Sequence, residues 1–380
     1  MSISRRNLLC QLGAGVAATA ALPALTEFGF GAALPLAAAG GSAGPVILSR
    51  NENAYGPSEK VIAAMRDTVH AANRYPLAQD SELYDRVAAL HGIKAERIVF
   101  GCGSSEILTT AVATFGGPGK KIITASPTFE LPAHAAQIEG SEVITVPLNK
   151  NFAHDLGAML AKADASTGLV YICNPNNPTA SITPRAEIED FLQKLPRTAM
   201  VLIDEAYHHF VSPAASYASF IDKPVDDDRL IVARTFSKVY GLAGIRVGYA
   251  VASPGVAQKL ASRCVPASVN LAAAVAAVSA LDDQAFVRAC VKSNAGNRQE
   301  FFKQANARKL AMIDSQANFV MMNAQRPSTE VSEHFKKNGV LIGRPFPPLD
   351  NYIRVTLGKP AEMAEFWRVW DLAPAHKMEM

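Results

Sequence analysis

Six short apolar runs, each closing on turn residues, limit what this chain can fold into more than any other feature. "RIVFGCG", "KKIITASP", "EVITVPL", "GLVYICNP", "AMVLIDEAY" and "RLIVARTFSK" follow one another between residues 97 and 238. Runs of that length, rich in Val and Ile, read as buried strands. Helical patterns such as "HDLGAMLAKAD" and "PRAEIEDFLQKL" stand between several of them, and Val61, Ile62, Met65 and Val69 recur at helical spacing ahead of them. Strand alternating with helix predicts an α/β layer structure with a mostly parallel sheet. After about residue 283 the texture changes to a long helical stretch, then "ANFVMMNA", a helix near 328–338, and strands at "VLIGR" and "YIRVTLG". The expected organisation is a leader over 1–40, an N-terminal arm and first helix over 41–75, a large domain over 76–282 and a smaller α+β domain over 283–380.

In open α/β sheets ligands gather beyond the carboxyl ends of the strands. Four segments fall there. In "TFSKVYGLAGIRVGY", Lys238 follows a β-rich run and Arg246 comes eight residues later. A lysine in such a place acts as a nucleophile when desolvation or neighbouring positive charge lowers its pKa, and Ser237 with Arg246 suits a phosphate. In "MVLIDEAYHHF", Asp204 closes an apolar run, where a buried carboxylate requires a partner. A magnesium ligand of an ATPase is the rival reading, but "TFGGPGKK" has Thr114 and Lys121 where a phosphate-binding loop needs Gly and Ser/Thr. "CNPNNPTA" is a dense turn whose asparagines offer amide donors. "GCGSSEIL" passes through Ser104, a candidate N-cap, into a helix whose first N–H groups can bind phosphate.

The net charge of +3 has no long basic cluster behind it, so no nucleic-acid partner is expected. Cys10, Cys102, Cys173, Cys264 and Cys290 are scattered, with no metal-like spacing to the eight histidines.

Together the four segments resemble the fold-type I pyridoxal-phosphate aminotransferases, most closely their histidinol-phosphate aminotransferase branch. The resemblance runs from "NENAYGP" at residue 51 to "YIRVTLGKP" at residue 360. It implies an aspartate aminotransferase-like fold, pyridoxal 5′-phosphate as cofactor, and amino acid and 2-oxo acid substrates taken in turn. Lys238 then matches the lysine that holds the cofactor and moves the substrate's Cα proton, and Asp204 the aspartate that keeps the ring nitrogen protonated. Asn177 and Tyr207 match the pair on the ring oxygen. Ser104, Ser105, Ser237 and Arg246 correspond to the phosphate cup. Tyr75, in "NRYP", resembles the tyrosine that reaches the partner's phosphate in a homodimer. Arg354 matches the arginine on the substrate carboxylate, with Tyr55 and Arg344 also facing substrate.

Some positions depart from the family pattern. Ala54, Ser105 and Ala180 are mild changes, whereas "PTFELP" has Pro132 where a second tyrosine is usual, which leaves Phe129 as the ring expected over the cofactor. "GVLIGRPFPP" carries an extra residue before Arg344, so the substrate's side-chain pocket is expected to differ. Decarboxylation of a phosphorylated amino acid is the nearer alternative activity; a periplasmic solute-binding protein is the remote one.

Finally, "MSISRRNLLCQLGAGVAATAAL" resembles a twin-arginine export leader: Arg5 and Arg6 precede residues 8–25, which carry no charge. The stretch is weakly hydrophobic, so a periplasmic or exported enzyme is expected. No stable membrane association is expected unless the leader is retained, and a cytoplasmic location if it does not function.

Overall fold

The computed structural model describes residues 44–213 and 215–373. The leader read at 1–40 lies outside the described residues. The described residues from Val46 onward form one compact unit. Its described strands are β1 (Val46–Leu48), β2 (Ile98–Gly101), β3 (Lys121–Ser126), β4 (Glu142–Pro147), β5 (Thr167–Cys173), β6 (Met200–Asp204), β7 (Leu230–Thr235), β8 (Gly248–Ala252), β9 (Phe319–Asn323), β10 (Val340–Ile342) and β11 (Tyr352–Thr356).

The six apolar runs are β2 to β7. They join β8 in a seven-stranded sheet of order β2-β8-β7-β6-β5-β3-β4. Neighbours among β3 to β7 are parallel, while β8 runs antiparallel to both β7 and β2. Every residue of β5 is buried, which is why its sequence is continuously apolar instead of alternating. Val170, Ile172, Val201 and Ile203 enter one core cluster, and Leu169, Tyr171, Cys173 and Leu202 the other, so successive side chains fill opposite faces. The fold is the aspartate aminotransferase-like, fold-type I α/β arrangement.

Two smaller sheets complete the described structure: β9 with β11, antiparallel, and β1 with β10, parallel. A third cluster, including Leu48, Phe301, Val320, Phe335, Phe366 and Trp367, packs around them. The β1–β10 pairing carries Ser49–Asn53 from one end of the chain to β11 at the other. Among the described residues no helix is long and apolar enough to cross a membrane.

One local expectation is corrected. Ser104 does not cap its helix: the helix Gly103–Phe115 starts a residue earlier, with Cys102 at the N-cap and no side-chain cap bond there. Instead the Glu106 carboxylate reaches back to accept the Cys102 N–H at 2.5 Å, leaving the first N–H groups of the helix directed outward.

Candidate active site

The register of the parallel strands puts the chemistry side by side. Cys173 pairs with Asp204, and Asp204 with Ala233, so the loops after β5, β6 and β7 leave the sheet at one edge. Asp204 closes β6, and those loops carry Asn177, Tyr207, and Ser237 with Lys238.

Asp204 is 3% exposed. Its carboxylate accepts the Tyr171 hydroxyl at 3.0 Å and the Ala206 N–H at 3.1 Å. Burial pushes its pKa up to about 6, with the Tyr171 and Ala206 bonds and the Lys238 charge holding it down against that. The Lys238 amine donates to the carbonyls of Asn51 at 3.1 Å and Arg50 at 3.4 Å, and lies 5.3 Å from the centre of the Tyr207 ring. Burial, then the Arg354 guanidinium, brings this amine down to about 8, against the opposing pull of Glu52 and Asp204. A neutral amine is therefore accessible near neutral pH, as a nucleophile requires.

The Tyr207 hydroxyl accepts the Asn51 amide at 3.1 Å, and burial raises its pKa. Arg354, on β11, donates to the Asn177 side-chain oxygen at 2.6 Å and to the Ser49 carbonyl at 2.7 Å. Its Nε is buried without a partner, and burial lowers the guanidinium pKa to about 10. A buried cation with an unused donor suits an incoming anion.

Arg246 sits at φ 67° and donates to Ser237 Oγ at 3.3 Å, the Ala243 carbonyl at 2.9 Å and Ser105 Oγ at 3.5 Å. Its guanidinium lies over the helix start so closely that a Cβ on Gly103 would be 2.2 Å from Nη2, and one on Gly248 would be 2.3 Å from the Ser104 nitrogen. Those two glycines keep the backbone N–H groups, two hydroxyls and a cation around one anion cup.

The structure thus gathers Lys238, Asp204, Tyr207, Asn177 and Arg354, and assembles Ser104, Ser105, Ser237 and Arg246. Tyr55, partly buried, accepts from Asn297 at 3.2 Å. Phe129 is partly buried against the core cluster that holds Tyr171. Arg344 pairs with Glu130. Tyr75 is 81% exposed, and its side chain takes no part in these bonds. Three residues went unread in the sequence. Asn51 is 1% exposed at φ 55°, a left-handed conformation asparagine tolerates, and joins Tyr207 to Thr356. Tyr171 looks like one more core residue of β5, and Asn318, which donates to the Asn51 carbonyl at 3.1 Å, lies in an unremarkable loop. Only the "NEN" motif offered a local signal. Among the described residues no group of three or more metal-ligating side chains occurs.

The family model described as aminotransferase class I and II matches residues 44–369. Histidinol-phosphate aminotransferase of Moorella thermoacetica is 38% identical over 323 residues, covering 84% of this chain and 83% of the relative. That of Methylobacillus flagellatus is 38% identical over 326 residues, covering 85% and 87%. The histidinol-phosphate aminotransferase of Sinorhizobium meliloti, solved with pyridoxal 5′-phosphate, superposes with a TM-score of 0.80 at 26% identity, covering 98% of this chain and 97% of that one.

The residues present fit that cofactor. The anion cup suits its phosphate, the buried Asp204 carboxylate a protonated ring nitrogen, the Tyr207 and Asn177 groups a ring oxygen, and the Lys238 amine an aldehyde. The cup gives a direct test. Alanine at Gly103, which stands at φ 74°, would collide with Arg246 and carry a left-handed penalty of roughly 1–2 kcal/mol. By displacing the Arg246 guanidinium from the cup, Gly103→Ala is expected to weaken cofactor binding about tenfold or more, the cost of losing a charged hydrogen bond. Equilibrium dialysis measures it, and unchanged affinity would show that the cup does not hold the phosphate.

Proposed function

The chain belongs to the aminotransferase class I and II family, and from that premise we propose the substrates, residue roles, assembly and location of this pyridoxal-phosphate-dependent enzyme. Amino groups pass by a ping-pong sequence from an amino donor to a 2-oxo acid. The donor proposed is an amino alcohol phosphate of the histidinol-phosphate kind or an amino acid, with glutamate and 2-oxoglutarate as the nitrogen couple. The observation that carries the reading is the placing of a lowered-pKa amine, Lys238, and a buried carboxylate, Asp204, at the ends of adjacent parallel strands.

When bound, pyridoxal 5′-phosphate supplies an aldehyde that takes up the amino group and a ring that draws electrons from the neighbouring carbon. Lys238 would hold the cofactor covalently, and its amine, once freed, would carry the proton between the substrate Cα and the carbon that bore the aldehyde, in one direction for the donor and in the other for the acceptor. Asp204 presents its negative charge to the ring nitrogen, and the Tyr171 and Ala206 bonds fix its carboxylate for that task. Tyr207 and Asn177 orient the ring through its oxygen. Arg354 takes the substrate's carboxylate or phosphate in its planar fork, and Tyr55 lines the same approach. A half-reaction screen over amino acids and amino alcohol phosphates, with product mass analysis, tests the reading. Keto product with the amino group left on the enzyme is expected; release of carbon dioxide and an amine would replace transamination by decarboxylation.

The active form is proposed to be a homodimer in which Tyr75 of one copy approaches the phosphate cup of the other. Exposed Val69, Tyr75, Leu77 and Val265 supply apolar surface for the contact. The leader is proposed to send the folded enzyme to the periplasm by the twin-arginine route, which suits a protein that acquires its cofactor in the cytosol. Replacing Arg5 and Arg6 by lysine is expected to leave at least about nine-tenths of the activity in the cytosolic fraction. Undiminished periplasmic activity would remove the export reading.

A further inference from the structure

Beyond Arg354 the site has a second charged feature, the ion pair between Glu130 and Arg344. Backbone geometry dictates where its cation comes from. The Gly343 N–H donates to the Arg354 carbonyl at 2.8 Å, and a Cβ on Gly343 would stand 2.8 Å from that oxygen and 3.0 Å from the Arg354 Cβ. No side chain fits there, so Arg344 is the first residue after β10 that can offer one to the site.

Its guanidinium lies 4.5 Å from the centre of the Phe346 ring, and that of Arg354 lies 4.6 Å from the same ring. A single buried phenyl group therefore spaces the two cations. Arg344 also donates to the Pro345 carbonyl at 2.9 Å and to the Glu130 carboxylate. Glu130 belongs to a loop tied to the same site. Thr128 donates to Asn176 at 2.6 Å, and Asn176 donates to the Pro127 carbonyl at 3.1 Å. The next residue, Asn177, is the one that accepts from Arg354. Both Arg344 and Glu130 act electrostatically on Arg354.

The side chains of Arg344 and Glu130 are 41% and 49% exposed, so either can leave the other for water at small cost. A ping-pong enzyme receives two different substrates in one place. A substrate whose first acidic group is held by Arg354 has Phe346, and Arg344 on the same ring, within reach of its far end. Accordingly, we propose that Glu130 competes with the substrate's distal anion, a carboxylate or a phosphate, for Arg344, and so sets the selectivity between distally charged and distally neutral substrates. Paired, the two residues present a neutral wall; parted, Arg344 binds the anion while Glu130 turns to solvent. The proposal rests on the aminotransferase reading for Arg354.

Binding of unreactive acids to the cofactor-loaded enzyme, measured by calorimetry, tests it independently of turnover. Glutarate carries a distal carboxylate, a phosphonobutyrate a distal phosphonate, and valerate neither. Glu130→Gln is expected to tighten the charged acids relative to valerate by roughly two- to fivefold, the span of an exposed ion pair. Arg344→Gln is expected to weaken them relative to valerate about tenfold or more, as loss of a charged hydrogen bond does. In the double variant the gain from Glu130→Gln should vanish, which a merely structural role would not produce. A response to glutarate, to the phosphonate or to both supports the proposal and identifies the anion. An unchanged ratio in Glu130→Gln, or a gain that persists without Arg344, overturns it. Wild-type enzyme that shows these binding ratios but yields no keto acid would overturn the transamination reading alone.

Discussion

Lys238→Ala is expected to lose the visible absorbance of covalently held cofactor and to lower turnover by at least about 10⁴-fold, the upper range for removing a positioned acid–base group. Two tasks fall together in this variant. Alanine has no amine to hold the aldehyde, and nothing else in the site stands ready to take the Cα proton: Tyr207 has its pKa raised and Arg354 keeps its charge. Lys238→Arg keeps a cation but at a pKa too high for a neutral nucleophile, so it should fail similarly while folding normally. The stability of the chain should survive both changes, since the amine is held by two carbonyl contacts and not by an ion pair. An alanine variant retaining wild-type absorbance or turnover would sink the assignment of Lys238, and the family's chemistry would have to be relocated.

Asp204→Asn is the second large effect. Removing one member of a buried charge pair costs about 2–5 kcal/mol, hence roughly 30- to 5,000-fold in rate when that pairing operates in the transition state. The variant has a separate signature in the cofactor-free protein. The Asp204 carboxyl has its folded pKa raised from 3.8 to about 6. Between those values the native state holds more protons than the unfolded state, so this residue's contribution to stability falls as pH rises. Buried His154 and the partly buried His208 and His209 have values lowered by desolvation and act in the opposite direction. The difference between variant and wild type isolates the carboxylate. Asp204→Asn should gain on the order of 2 kcal/mol over wild type as pH rises from 4 to 6. Denaturant midpoints at matched protein concentration measure it, and a flat difference would mean that Asp204 is not held in a desolvated environment.

The sheet was legible because parallel strands covered on both faces write themselves as unbroken apolar runs. Strands β1 and β8 were not, for physical reasons. Strand β1 finds its pairing partner β10 only some three hundred residues later, and β8 begins at Gly248, where the close approach of the phosphate-cup helix rules out a side chain. Lys238 and Asp204 stood out as charges at the ends of apolar runs. Tyr171 did not, since its hydroxyl finds Asp204 only across a strand pairing. Asn51 was marked by the "NEN" motif, but its role was not legible. Its partners Tyr207, Asn318 and Thr356 lie 156, 267 and 305 positions away, and nothing in the local pattern around residue 51 points to them. The helix start at Gly103 shows the reverse case: a serine rule predicted one cap, and a backward-reaching glutamate displaced it.

The pairing of β1 with β10 sets an order on events during synthesis. Residues 49–51 leave the ribosome first; Tyr207 and Lys238 follow within two hundred residues, but Arg354 and Thr356 arrive some three hundred residues later. At about 5–20 residues per second, the central sheet has many seconds to form while the lysine end of the site still lacks its neighbours Arg354 and Asn318. Completion of the substrate end of the site is therefore the late event, reached only when β1 has paired with β10 and Arg354 has met Ser49. A chain shortened before β11 would contain Lys238, Asp204 and the whole phosphate cup, yet have no finished place for a substrate.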